Sequence, residues 1–169
     1  MIACSECGAS TTTRTTTCDD NRPWCPQCST WLVHCDLTGQ WVTPATRQWR
    51  LREAAVEQQI RASRDAAEAA LPDAEALLPA GWRVTVEQGL PRATHVLTIR
   101  PAVAPVDVTA HLSPPHGGAG WSVQIHNRTT GVGFPLYIPG GAHAEHFTTV
   151  GDAVTAAINT IRVEQTRRH

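Results

Sequence analysis

The feature that most constrains this chain is where its cysteines lie. All six fall between Cys4 and Cys35 of a 169-residue sequence, and none follows. Four form two Cys-x-x-Cys pairs, Cys4-Ser5-Glu6-Cys7 and Cys25-Pro26-Gln27-Cys28, separated by seventeen residues. Two thiolates on one tight turn can grip one ion, and two such turns together make the four-sulfur tetrahedron that Zn²⁺ prefers. The spacing is that of paired Cys-x-x-Cys zinc sites. A segment of about 40 residues buries too little apolar surface to offset its chain entropy, so a metal or disulfides usually help. Gly8 after the first pair suits a sharp turn, and Pro26 stiffens the second. Cys4, Cys7, Cys25 and Cys28 are therefore expected to hold one structural Zn²⁺.

The pairs Cys4-x-x-Cys7-Gly8 and Cys25-Pro26-x-Cys28 resemble the two knuckles of a zinc ribbon, over about residues 1–40. The resemblance implies a metal module but no single function, because such modules serve nucleic-acid binders, protein-docking modules and enzyme appendages alike. Three other readings of the same cysteines stand beside it. Iron held as in rubredoxin would imply electron transfer. A disulfide framework needs an oxidising compartment. A thioredoxin-like redox pair opens a helix, and neither pair here precedes a helical pattern. Cys18, His34 and Cys35 remain; a second zinc on them would need a further ligand such as Asp19, Asp20 or Asp36, and small buried residues are the simpler reading.

All fourteen basic residues are Arg, and the absence of Lys excludes a Gly-Lys phosphate loop, a Schiff-base lysine and a lysine general base. The formal charge of −1 removes the simplest argument for nucleic-acid binding, a strongly basic domain. Residues 1–40 carry −2, and four thiolates around a dication would make that −4, so phosphate is repelled there. No stretch approaches the roughly 18 apolar residues of a membrane span. Met1-Ile2-Ala3-Cys4 lacks the regions of a signal peptide. The expectation is a cytoplasmic protein that does not enter a membrane.

Three parts are expected: a zinc-ribbon module (1–40), a helical linker (41–80) and an α+β domain (81–169). The run Thr11 to Thr17 suits either a strand of the module's hairpin or a solvated loop tip. Thr46 to about Leu71 reads as helix, free of Gly and Pro, with Pro72 as its end. Its stripe of Trp49, Val56, Ile60 and Ala67 is expected to pack within the chain, or else to form a homodimer through helix 46–71. Period-two alternation marks strands at Trp82-Val84-Val86, His95-Leu97-Ile99, Val106-Val108-Ala110 and Trp121-Val123-Ile125. Phe134 to Ile138 gives a last strand, and Pro135 places it at an edge. Val150, Ala153, Val154, Ala157, Ile158 and Ile161 form one face of a C-terminal helix, with Thr149 and Asp152 as its cap. The fold class is thus α+β: a ribbon, a linker helix, then a four- to five-stranded, mostly antiparallel sheet packed by a C-terminal helix.

No nucleophile elbow or dinucleotide fingerprint occurs, and no enzyme is expected. His143-Ala144-Glu145-His146, with His111 and His126, is the one cluster from which a metal-dependent enzyme could be built. It is not the His-Glu-x-x-His pattern of two ligands one helical turn apart. Trp121-Ser122-Val123-Gln124-Ile125, the turn through Gly131, and Phe147-Thr148-Thr149 leading into the last helix resemble the arm-binding domains of phage-type integrases, which would imply DNA contact. Such contact would fall to Arg residues after residue 46, yet only Arg128 lies between Trp121 and Phe147. Trp24, Trp31 and Trp41 are contact candidates for a macromolecule. The favoured expectation is a non-catalytic zinc-containing binding or adaptor protein, with a protein partner preferred over nucleic acid.

Overall fold

The computed structural model describes residues 2–15, 21–89, 94–102, 108–116, 119–127, 130–136 and 146–166. The chain divides into two compact units, Met1–Glu57 and Gln58–His169.

The first unit is built from short hairpins. Strands β1 (Thr12–Thr15), β2 (Asn21–Cys25) and β3 (Thr30–Trp31) form an antiparallel sheet, and β4 (Val33–Cys35) pairs with β5 (Gln40–Val42). Most of the threonine run is therefore strand, Thr12 pairing with Trp24 and Thr15 with Asn21, while Thr16 and Thr17 lie outside the described residues. Trp24 and Trp31 face each other across β2 and β3 with ring centroids 4.9 Å apart, edge to face. Leu32, Cys4 and Cys25 are fully buried, and Trp41 packs on them. So small a core is what the metal-module argument anticipates.

Helix α1 (Pro44–Ala76) is longer than the sequence suggested at both ends. Thr43 caps it, its hydroxyl accepting from the Thr46 amide at 3.2 Å. Pro44 then fills the first helical position, where its missing N–H costs nothing. Pro72 lies inside the helix and does not end it. An interior proline costs about 3 kcal/mol when unsupported. Here buried Ala67 and Ala74 and partly buried Ala70 and Leu71 tie this part of the helix to the core of the second unit. The stripe divides accordingly. Ala67 is buried and Ile60 half-buried, whereas Trp49 and Val56 remain exposed at 59% and 45%, so the expected packing holds only for its later part.

In the second unit β6 (Trp82–Gln88), β7 (His95–Pro101), β8 (Val108–Ser113), β9 (Ser122–Asn127) and β10 (Val132–Pro135) form an antiparallel meander in the order β10-β9-β8-β7-β6. Pro135 sits on an edge strand, where no neighbour needs its amide. α2 (Val150–Thr166) packs on β7, β8 and β9. Its Ala153, Val154, Ala157, Ile158 and Ile161 join Leu97, Ile99, Ala110, Leu112, Val123 and Ile125 in one core. Thr149 receives the Asp152 amide at 3.1 Å and donates to its carboxylate at 2.7 Å. The α+β assignment holds.

Candidate metal centre

The two Cys-x-x-Cys turns converge. The first closes a small hairpin: Ala3 bridges Ser10, the Cys4 amide donates to the Ala9 carbonyl, and the Gly8 amide donates to the Cys4 carbonyl at 2.8 Å. Gly8 takes φ +73°, a left-handed conformation that glycine adopts without a steric penalty. The second lies between β2 and β3 and ends at Ser29, also left-handed at φ 50°. The β4–β5 hairpin braces the first turn, whose Ser5 amide and hydroxyl both donate to the Trp41 carbonyl.

The four sulfurs all lie within 4.8 Å of one another. Cys7 and Cys25 Sγ are 3.5 Å apart, Cys7 and Cys28 3.6 Å, and Cys4 and Cys28 3.9 Å. Four sulfurs bonded at about 2.3 Å to a central ion stand about 3.8 Å apart along the edges of a tetrahedron. The cluster therefore has the dimensions of a four-sulfur metal site, and all four cysteines are free thiols rather than disulfides.

The electrostatics agree. The Cys28 amide, donating to Cys25 Sγ at 3.3 Å, holds the Cys25 thiol down at about 7. Cys28, hemmed in by the sulfurs of Cys7 and then Cys25, is pushed up to about 12. Neighbouring thiolates repel, so the set cannot ionise together without a cation to offset their charge.

Among the described residues this is the one group of three or more side chains able to hold a metal. Cys35 is buried outside it, below a turn in which the Gly39 amide donates to the Cys35 carbonyl at 2.8 Å. The thiol of Cys35 is held down by the Thr38 hydroxyl. That turn, Cys35-x-x-Thr38-Gly39, repeats the backbone of Cys4-x-x-Cys7-Gly8, with Gly39 at φ +66° and a hydroxyl where the second sulfur would stand. His34 is exposed and bound to Asp36 at 3.0 Å. Cys18, Asp19 and Asp20 lie outside the described residues.

Of the histidines, His111 and His126 come together, their rings 4.6 Å apart on the face of the sheet opposite its helices. His146 is exposed and does not line the cavity beside them, and His143 and Glu145 lie outside the described residues. The sequence reading missed what surrounds this pair. Period-two alternation singled out the apolar members of each strand, while their neighbours Thr98, Arg100 and Gln124 line the same cavity. Among the described residues no helix is long and apolar enough to cross a membrane. Comparison with protein-family models, curated proteins and solved structures finds no match.

Proposed function

We propose that this is a non-catalytic binding protein whose four cysteines hold one structural Zn²⁺ as a zinc ribbon, and whose first unit contacts a protein. The observation that carries the reading is the four-sulfur cluster, whose edges fit a Zn–S₄ tetrahedron. Zinc is preferred to iron because four thiolates in a tetrahedron are a standard ligand set for structural zinc.

A protein partner is preferred to nucleic acid on two grounds. Leu37, Trp49 and Val56 are exposed large apolar side chains of one unit, and Leu37 and Trp49 line a groove with Glu53 and Glu57. An exposed aromatic anchor suits a protein surface that offers apolar groups. Several arginines after residue 46 are also already engaged. Arg47 reaches Asp36 at 3.8 Å, Arg50 donates to Thr38 at 2.8 Å, Arg64 pairs with Glu68 at 2.7 Å and Arg100 with Glu87 at 3.2 Å. The homodimer through helix 46–71 is the form of this reading in which the partner is a second copy, seated on Trp49 and Val56.

Retention of the full chain on a DNA column across a salt series separates the two classes. A protein-contacting ribbon elutes at the lowest salt, with no change on replacing Arg47 and Arg52. Retention that falls steeply with salt and with those replacements establishes the DNA reading instead. Sedimentation of the chain and of Trp49→Asp tests the homodimer: a dimer that dissociates in the variant supports it, and a monomer throughout removes it.

A further inference from the structure

The two edges of the second unit's sheet are unequal. β10 has four residues, Gly133 and Pro135 among them, and short strands and prolines are how natural sheets blunt an edge. β6 has seven, pairs with β7 at every one without a bulge, and contains no Pro, Gly or Lys. Parity in the ladder shows which groups this edge offers. The Ala102 amide donates to the Gly81 carbonyl and the Gly89 amide to the Thr94 carbonyl, so the odd residues between them bond to β7. Val84 and Val86 therefore turn their amides and carbonyls outward, where they meet no backbone partner among the described residues. The Trp82 amide is already used, donating to the Pro79 carbonyl at 3.1 Å.

Charge on the same strand is left over as well. Arg83 is exposed, lies directly opposite Arg100 on β7, and meets no carboxylate among the described residues. Like charges in opposed positions repel. Arg100 has its counterion in Glu87 at 3.2 Å, and Arg83 has none. Thr85 and Arg100 both bind Glu87 through Oε1, so Oε2 meets no described residue. Strand β6 thus carries an unpaired cation two residues before Thr85 and an open carboxylate oxygen two residues after it.

We propose that β6 pairs antiparallel with the same strand of a second copy of this chain, Thr85 facing Thr85 of the partner subunit across a two-fold axis. This register sets Arg83 against the partner's Glu87, twice by symmetry, on the polar face of the joined sheets. Odd residues then form the close, non-hydrogen-bonded pairs in which opposite charges stabilise a sheet. On the other face Val84 and the partner's Val86 exchange both N–H···O bonds, again twice. A slip of two residues sets Arg83 against the partner's Thr85 or the partner's Gly89 and loses both ion pairs. The occupant is a second copy because the charges of this strand complement one another when it meets itself reversed. The interface belongs to the second unit alone, goes beyond the function proposed above, and depends neither on zinc nor on Trp49.

Sedimentation velocity of the full chain over a concentration series tests it, in the parent and in Trp49→Asp so that association through α1 is told apart. A dimer that persists in Trp49→Asp and is weakened about tenfold by Arg83→Glu, which makes both seam pairs repulsive, supports the inference. Arg83→Glu changes an exposed residue beside Arg100, so the variant is expected to fold as the parent does. An equal mixture of Arg83→Glu and Glu87→Arg chains restores opposite charges at both seam positions and should recover the parent's affinity. If Glu87→Arg does not fold, hydrogen exchange by NMR decides: the Val84 and Val86 amides should slow as the dimer forms. A chain monomeric at every concentration, a dimer lost in Trp49→Asp, a dimer indifferent to Arg83→Glu, or amides no slower in the dimer would overturn the inference.

Discussion

His126 and Gly133 lie directly opposite each other on β9 and β10, and the imidazole fills the space in which a side chain on Gly133 would begin. The glycine is therefore part of how the histidine is aimed. Replacing it forces the ring to move by a few tenths of an ångström or the edge strand to shift.

Gly133→Ala is accordingly expected to cost about 1 kcal/mol, at the low end for overpacking because β10 is an edge strand and can give. The cost should vanish in the background of His126→Ala, so a double-mutant cycle by chemical denaturation returns a coupling of similar size. A cost that persists without the imidazole would mean that the strand, not the ring, needs the glycine.

Thr149 caps α2 and binds Asp152 in return. Thr149→Ala is expected to destabilise the chain by about 1 kcal/mol, the usual loss for an N-cap hydroxyl. The transition to follow in denaturation is that of the sheet unit, because five buried residues of this helix belong to its core.

The cap, the apolar face of α2 and the alternation of the strands were all legible in the sequence because each is a local pattern with a fixed period. The convergence of Cys4, Cys7, Cys25 and Cys28 was legible for a related reason: two thiols three residues apart can hardly avoid sharing a turn. What was not legible depended on pairing between distant strands. Thr98 and His111 become neighbours only through the register of β7 with β8, and no short-range pattern announces that a buried hydroxyl will face an imidazole. Pro72 misled for the opposite reason. It is a strong local breaker, and the packing of Ala67 and Ala74 outweighs it. The helix also starts two residues before the expected Thr46, because proline is favoured at the first helical position.

The thiols give a pH dependence with a definite sign. In the metal-free chain Cys25 ionises near 7 and Cys28 only near 12, so metal uptake at neutral pH must expel protons from the set. The affinity for zinc is expected to rise with pH and to fall on acidification, as protons compete for the sulfurs. Competition against a chelator of known affinity over a pH series measures it, and a pH-independent affinity would exclude thiolate ligation.

The central claim is that Cys4, Cys7, Cys25 and Cys28 enclose one zinc ion, and elemental analysis of the purified chain tests it most directly. The parent protein should carry one zinc per chain, and Cys25→Ser, which removes a fully buried ligand, should lose it together with the ordered structure of the first unit. A folded parent chain devoid of zinc when zinc is supplied, or a Cys25→Ser variant that retains the full complement, would contradict the account.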